Sequence, residues 1–451
     1  MLPARGHIRC DQGSRTDLYV LTLSCWLMML ATFSMPERAD SLAGGALDSI
    51  GLIKLAARAI ATILLTWRII RILARVGFIA AGRRVLPIAI FPLWALVSVT
   101  WSPLRSVSVA QSSSLVVLVL IATLTAYKCR SKASVQFLLK QLCLMLAMLS
   151  CLIVACYFLA PQFASMTRNG TGLFHATNTA ATASLGLVCL TSSLLIWNFG
   201  WTRRMAWSAL PHLVVIIISA NRLCFLVNTA ALLIVFYLYG SRLMAAITVT
   251  VLCGLGGCYL LLDPNHEAFA AVGSEVVSYA SRGQNLSQLS ALSGREEMWT
   301  VQWNSFLDSP WIGHGYFVTS REGQLYVWYN WANYTAHNLV LQVAVTTGIV
   351  GLTLFVFGIC VPYIKAARRL MSRPTKRPLG HFLAVIGFWF FGWSTMNESI
   401  MGPVQPESVV FFVLLGIGLG CVASEETAGN TQTDNVAQKR PYEQLPMVVC
   451  S

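Results

Sequence analysis

Apolar runs long enough to cross a bilayer recur along this chain of 451 residues, and that repetition leaves it few ways to fold. A run of roughly 17–25 apolar residues crosses a ~30 Å hydrocarbon core as a helix. Backbone N–H and C=O groups in lipid must be satisfied within the segment, which a helix does. The runs fall near 18–35, 50–70, 85–101, 111–127, 135–160, 178–199, 206–220, 222–240, 243–262, 336–364, 381–400 and 407–423, about twelve spans in all. Composition agrees. The chain is 56% hydrophobic and 11% charged, against about 25% charged in soluble domains.

Basic residues orient the spans, because cytoplasmic loops carry the excess of Lys and Arg. Alternate loops hold Arg5, Arg9 and Arg15, then Arg71, Arg75, Arg83 and Arg84, then Lys128, Arg130 and Lys132. The same side continues with Arg203, Arg204 and Arg242, and with Lys365, Arg368, Arg369, Arg373, Lys376 and Arg377. The intervening short loops hold few, Arg38, Arg105 and Arg168. Both termini are therefore expected in the cytoplasm. Membrane orientation also accounts for most of the net charge of +14, so nucleic-acid binding is not needed to explain it. Segment 50–70 carries Lys54, Arg58 and Arg68 on one helical face, and a surface-lying amphipathic helix is its rival reading. It is kept as a span because the rival breaks the alternation of the other loops. The first run is followed by Met35-Pro36-Glu37-Arg38 rather than a cleavage site of small residues, so it reads as a retained anchor.

The expected fold is all-α, a polytopic membrane helix bundle of about twelve spans with one large external loop containing short helices. Residues 1–17 form a cytoplasmic N-terminus, 18–262 about nine spans, 263–336 the large periplasmic loop and 337–423 about three spans. Residues 424–451 have the composition of a disordered cytoplasmic tail. None of the thirteen cysteines falls in 263–337, so disulfides cannot hold the loop. No Cys-x-x-Cys pair or His/Cys ligand spacing points to a metal.

The loop is the segment with chemistry in it, since loops that long are functional or disordered and its tryptophans and tyrosines argue against disorder. Ser293 followed by Glu296 is a capping box and predicts a helix from Gly294 to Leu307, with Trp299, Trp303 and Phe306 along one stripe. Pro310 ends that helix, Gly313 and Gly315 mark a turn, and Trp328–Tyr334 runs back to the bilayer.

Arg295 stands in the first turn of this helix, where its guanidinium and free backbone N–H groups would face an anion. A solvated arginine paired with Glu296, Glu297 or Asp308 would fit the same position. His337, at the outer end of the tenth span beside Asn338, can exchange a proton near neutral pH or serve as an interfacial hydrogen-bonding group. Arg222 interrupts apolar sequence at the outer boundary between the seventh and eighth spans, and boundary charges default to function; snorkelling is the bland alternative. His175 and Asn178, spaced i,i+3 at the start of the sixth span, share one face, although capping would also explain Asn178. Glu296, Glu297, Asp308 and Glu322 are the candidate acids. No Asp-x-Asp, Walker loop, Gly-rich dinucleotide turn or Gly-x-Ser-x-Gly occurs.

In order, the chain presents Ser98-Val99-Thr100-Trp101-Ser102, Gly172 to Asn178 and Asn221-Arg222. Ser293-Gly294-Arg295 with Trp299 and Ser309-Pro310-Trp311-Ile312-Gly313-His314-Gly315 come next. His337-Asn338 and Gly348-Ile349-Val350-Gly351-Leu352 complete the set. This ordered set, over roughly 95–355, resembles the bacterial O-antigen ligase and polysaccharide polymerase family. Two positions depart from the family's pattern. Asn221 stands where Ser is common, and His314, a further candidate histidine, where a small or aliphatic residue is.

The resemblance implies a GT-C-like, inverting, metal-independent glycosyltransferase without a cofactor, in the bacterial inner membrane. Its donor would be a glycan on undecaprenyl diphosphate. Arg222 and Arg295 would bind the diphosphate and His337 would act as general base, with Asn338, His314, His175 and Asn178 in support. The acceptor would be another lipid-linked repeat, in a polymerase of exopolysaccharide or O-antigen, or a lipid A core sugar, in a ligase. A related branch glycosylates protein. Membrane lipids are further partners, as is a polysaccharide chain-length regulator. A polyprenyl-linked glycan transporter or flippase is the non-enzyme alternative; it predicts internal repeats and deep charges that the sequence does not display.

Overall fold

The computed structural model describes residues 6–30, 49–76, 78–161, 164, 174, 176–197, 206–219, 221–240, 295–398, 400–401 and 404–439. The expected span 243–262, the first part of the external loop and His175 lie outside them. The helices are α1 (Gly6–Leu30), α2 (Ser49–Val76), α3 (Phe78–Val97), α4 (Arg105–Lys128), α5 (Lys132–Leu159), α6 (Ala176–Trp197) and α7 (Ala209–Ser219). They continue with α8 (Arg222–Tyr239), α9 (Arg295–Asp308), α10 (Leu339–Phe355), α11 (Val361–Met371), α12 (Arg377–Trp393) and α13 (Pro406–Lys439). Between α9 and α10 lies a small antiparallel hairpin of β1 (Leu325–Val327) and β2 (Asn330–Ala332).

Among the described residues, six helical stretches are long and apolar enough to cross a membrane: 105–128, 132–159, 177–196, 222–239, 339–371 and 406–424. Shorter apolar helices occupy 86–100 and 209–219. The chain is a polytopic helical membrane protein. Segment 50–70 is part of α2, which packs along α1 and α4 with Ala61 and Leu65 fully buried. Arg68 pairs with Asp17 at 3.2 Å, and Lys128 holds the other carboxylate oxygen. One ionic cluster thus ties the middle of α1 to the C-terminal part of α2 and the end of α4. The last helix runs on to Lys439, past residue 424 where a disordered tail was expected. No proline interrupts 407–439, so nothing in the backbone forces the helix to stop there.

The centre of the bundle is aromatic. Trp389, Trp393, Phe382 and Phe390 of α12 and Phe411 and Phe412 of α13 are almost completely buried. Tyr363 of α11 stacks on Phe411 with ring centroids 5.1 Å apart. Lipid tails are as apolar as these side chains, so close packing rather than water exclusion holds such a core.

One joint positions the loop on the bundle. Helix α10 is broken at Gly348, whose backbone sits at φ 69°, ψ −174°. The groups freed by the break are taken by the 310–315 segment. His314 N donates to Val345 O (3.2 Å) and Gly315 N to Thr346 O (3.0 Å). In return Ile349 N donates to Pro310 O (2.8 Å) and Val350 N to Trp311 O (3.2 Å). Trp94 Nε1 donates to the carbonyl of Thr347 at 3.2 Å. Irregular backbone at membrane depth survives where protein satisfies it, as here. The backbones approach so closely that a Cβ on Gly348 would lie 2.2 Å from Trp311 O, and one on Gly313 2.4 Å from the Thr346 carbonyl carbon. Beyond the joint, Tyr316 N donates to Ser98 Oγ, and Ser108 Oγ, itself bonded to Ser102 Oγ, donates to Tyr316 O. Three motifs that are separate in sequence, at 98–102, 309–315 and 348–352, are therefore parts of one structural clasp.

Candidate functional site

His337 precedes α10 in a left-handed backbone conformation, φ 46°. That region is uncommon for a residue with a side chain, although His enters it more readily than most. Its neighbours hold it there. Asn338 caps α10, accepting from Leu341 N at 3.0 Å, and its Nδ2 donates to Thr395 O at 3.1 Å. Leu339 N donates to Ser394 O at 3.0 Å. On the other side, Ala336 N donates to Gln342 Oε1 (2.7 Å), and Ala336 O accepts from Trp299 Nε1 of α9 (2.8 Å). A backbone pinned from both sides can carry an unfavourable φ.

The His337 side chain is 37% exposed, and its Nδ1 lies 3.3 Å from Oε2 of Glu398, a carboxylate only 5% exposed. Burial alone would raise the Glu398 carboxyl. Its interactions with His337 and Thr335 outweigh burial and hold it below the usual carboxylate range. Sequence reasoning passed over Glu398 and drew its acids from the loop. The missed signal was of the kind that singled out Arg222, an ionisable residue inside an expected apolar run, here 381–400. Glu407, completely buried in the first turn of α13, carried the same signal.

The arginines reach this end of the bundle on different helices. Arg222 is the first residue of α8, whose cap is Asn221 accepting from Cys224 N at 3.0 Å. Asn caps as well as Ser does, so Asn221 keeps the helix start despite its departure from the family pattern. Five residues along α8, about 7 Å of rise, Val227 packs on Gly392 at the end of α12. Arg295 is the half-buried first residue of α9. It lies one turn, about 6 Å of rise, before Trp299, which bonds the carbonyl next to His337. The α12 terminus, 392–398, thus contacts α8 through Val227 and the His337 segment through Ser394, Thr395 and Glu398. Arg222, Arg295 and His337 lie at one end of the bundle. The Asp17–Arg68–Lys128 cluster marks the other, since Ser108 and Lys128 sit at opposite ends of α4.

The supporting residues divide. His314 is buried at the clasp, its Nε2 2.8 Å from Ser305 O and 3.2 Å from Ser305 Oγ, so it faces α9. Burial is the main cause that lowers its pKa, and the neutral ring donates from Nε2 to the Ser305 carbonyl. Its contribution to stability is present above the ordinary value of 6.5 and is lost as pH falls through the lowered one. Acidification is expected to reduce hydrogen-exchange protection across 309–316, and His314→Gln to make that protection independent of pH. Asn178, in the first turn of α6, accepts from Gln405 Nε2 at 3.2 Å and joins α6 to the start of α13. His175 is outside the described residues. Among the described residues, no group of three or more His, Cys, Asp or Glu is arranged to hold a metal ion.

Fold and polar cluster together define a membrane-embedded helical protein with cationic groups and an imidazole–carboxylate pair at one bundle end. Residues 207–356, about a third of the chain, match the family model described as O-antigen ligase, which supports a relation to that family. The matched segment holds Arg222, Arg295, His314, His337 and Asn338, while Glu398 lies beyond it. No curated protein matches the chain. The match points to membrane glycan processing of the ligase and polymerase type, a glycosyl transfer between lipid-linked glycan and acceptor.

Proposed function

We propose that the chain is an inverting, metal-independent glycosyltransferase that extends exopolysaccharide or O-antigen repeat units. It acts at the outer face of the bacterial inner membrane on undecaprenyl-diphosphate-linked glycan, with both its termini in the cytoplasm. The His337–Glu398 pair, at the bundle end shared by Arg222 and Arg295, supports this reading most directly.

Glu398 Oε2 faces Nδ1 of His337 at 3.3 Å and favours the proton on that nitrogen, which leaves the Nε2 lone pair available to an acceptor hydroxyl. As that oxygen attacks the anomeric carbon from the face opposite the diphosphate, its proton passes to Nε2. The bond from carbon to diphosphate oxygen breaks and undecaprenyl diphosphate leaves. A single displacement inverts the anomeric centre. Negative charge grows on the leaving diphosphate, where Arg222 and Arg295 stabilise it most as the bond breaks. The imidazolium formed is stabilised in turn by Glu398, as in other imidazole–carboxylate pairs.

Glu398→Gln keeps the shape and removes the charge. It is expected to slow transfer roughly ten- to hundredfold, less than loss of the base itself, while the KM for donor stays near wild type. The overall reading is tested by deleting the chain's gene and examining the lipid-linked glycan. Single repeats left on the carrier support polymerisation. Full chains on the carrier with bare lipid A core would make the chain a ligase, and an unchanged outer-face glycan with repeats retained inside would make it a flippase.

A further inference from the structure

The hairpin between α9 and His337 has no part in the chemistry above, yet its tip is unusual. Val327 pairs with Asn330, leaving a two-residue turn of Trp328 and Tyr329 with φ 55° and 61°. Two positive φ values mark a type I′ turn, which ordinarily takes Asn-Gly. Two aromatic residues are strained there. Tyr329 is 93% exposed, and the cross-strand partners Tyr326 and Trp331 are 48% and 58% exposed with ring centroids 5.3 Å apart.

The platform is firmly rooted. Val327 is fully buried, Tyr334 Oη donates to Val327 O at 3.0 Å, and Gln302 of α9 donates to Tyr334 O at 3.3 Å. Two residues after Tyr334 the chain reaches Ala336, bonded to Trp299, and then His337. The hairpin and the candidate site are thus joined by one short segment, 332–337, anchored on α9.

A bilayer is the poorer occupant. A two-stranded hairpin has open N–H and C=O edges that hydrocarbon cannot satisfy. From 295 to 336 the loop also carries Glu296, Glu297, Asp308 and Glu322 against Arg295 and Arg321, and all four acids are exposed. Such a surface repels anionic headgroups but not neutral sugars. Sugar rings present C–H faces to the negative face of an aromatic ring, and Tyr O–H and Trp N–H groups can bond their hydroxyls.

We infer that the Tyr326–Trp331 pair and Tyr329 form a stacking platform for sugar rings of the glycan substrate, on the segment that leads to His337. The inference rests on the proposed function for the origin of that glycan, donor or acceptor, and the experiment separates the two readings.

The full chain in nanodiscs of phosphatidylcholine and phosphatidylglycerol is titrated with oligosaccharide released by mild acid from the native cells' lipid-linked pool. Binding is read by saturation-transfer NMR. Tyr326→Ala/Trp331→Ala is expected to weaken binding roughly tenfold, and Tyr326→Phe/Trp331→Tyr to restore it, which excludes misfolding as the cause. In transfer assays the double alanine variant should raise one KM by a similar factor with kcat little changed, and whether donor or acceptor KM rises identifies the source of the glycan. His337→Ala should bind the oligosaccharide like wild type while transferring little, and a wild-type chain that binds through the hairpin but transfers nothing would contradict the proposed function alone. Unchanged binding in the double alanine variant overturns the platform. So does fluorescence quenching by brominated lipids that the variant loses, which would assign these rings to the bilayer interface.

Discussion

His337→Ala in the purified chain is expected to lower glycan transfer by about 10²–10⁴-fold, the range a positioned general base contributes, without loss of insertion or fold. Alanine tolerates φ 46° less well than histidine, so that variant alone mixes chemistry with backbone strain. His337→Asn separates them, because asparagine enters the left-handed region readily and cannot accept a proton at neutral pH. The Asn variant should melt like wild type and transfer as slowly as the Ala variant. Normal transfer by either would remove His337 as the base. If Glu398 acts through the imidazole, Glu398→Gln should add little to the defect of His337→Asn, since residues working as one unit are far from additive. Full additivity of the two changes would place Glu398 in a role of its own.

Gly348→Ala should damage the protein by a different route. At φ 69°, ψ −174° the residue occupies a region essentially restricted to glycine, and a Cβ there would lie 2.2 Å from Trp311 O. The contact atom is backbone, so no rotamer change relieves it. Either α10 straightens and expels the 310–315 segment, or the backbone carries the strain. Backbone strain and steric overlap of this kind cost on the order of 3 kcal/mol or more together. The variant should show a lowered Tm in nanodiscs and little folded protein after purification. Val340→Ala, on an exposed face of the same helix, should leave the Tm within about 2 °C of wild type. A Gly348→Ala chain melting like wild type would mean that the break in α10 is not held by the clasp. Together the two experiments distinguish loss of a proton acceptor from loss of the scaffold that presents it.

The resemblance drawn from motif order had no way to separate those roles. In the structure much of the motif set is a joint: Ser98 and Ser108 hold Tyr316, Gly313 fits against Thr346, and Gly348 breaks α10 so that 310–315 can enter. His314 drew notice as a candidate histidine and stands inside that joint, bonded to Ser305. Glu398 drew none and touches His337.

What the sequence determined by itself was local in origin. Run length and polarity require helices in a membrane, and α9 forms at 295–308 close to where Ser293 and Glu296 predict it, because length, periodicity and caps are properties of neighbouring residues. The tertiary structure alone decided the partners. Tyr316 bonds Ser98 across 218 residues and Trp299 bonds Ala336 across 37, and which side chains meet over such distances depends on how whole helices pack. The Trp328–Tyr329 turn was hidden for a related reason. Its residues lack the usual turn chemistry, and the buried Val327 and the bonds at Tyr334 hold it in shape where local preference would not.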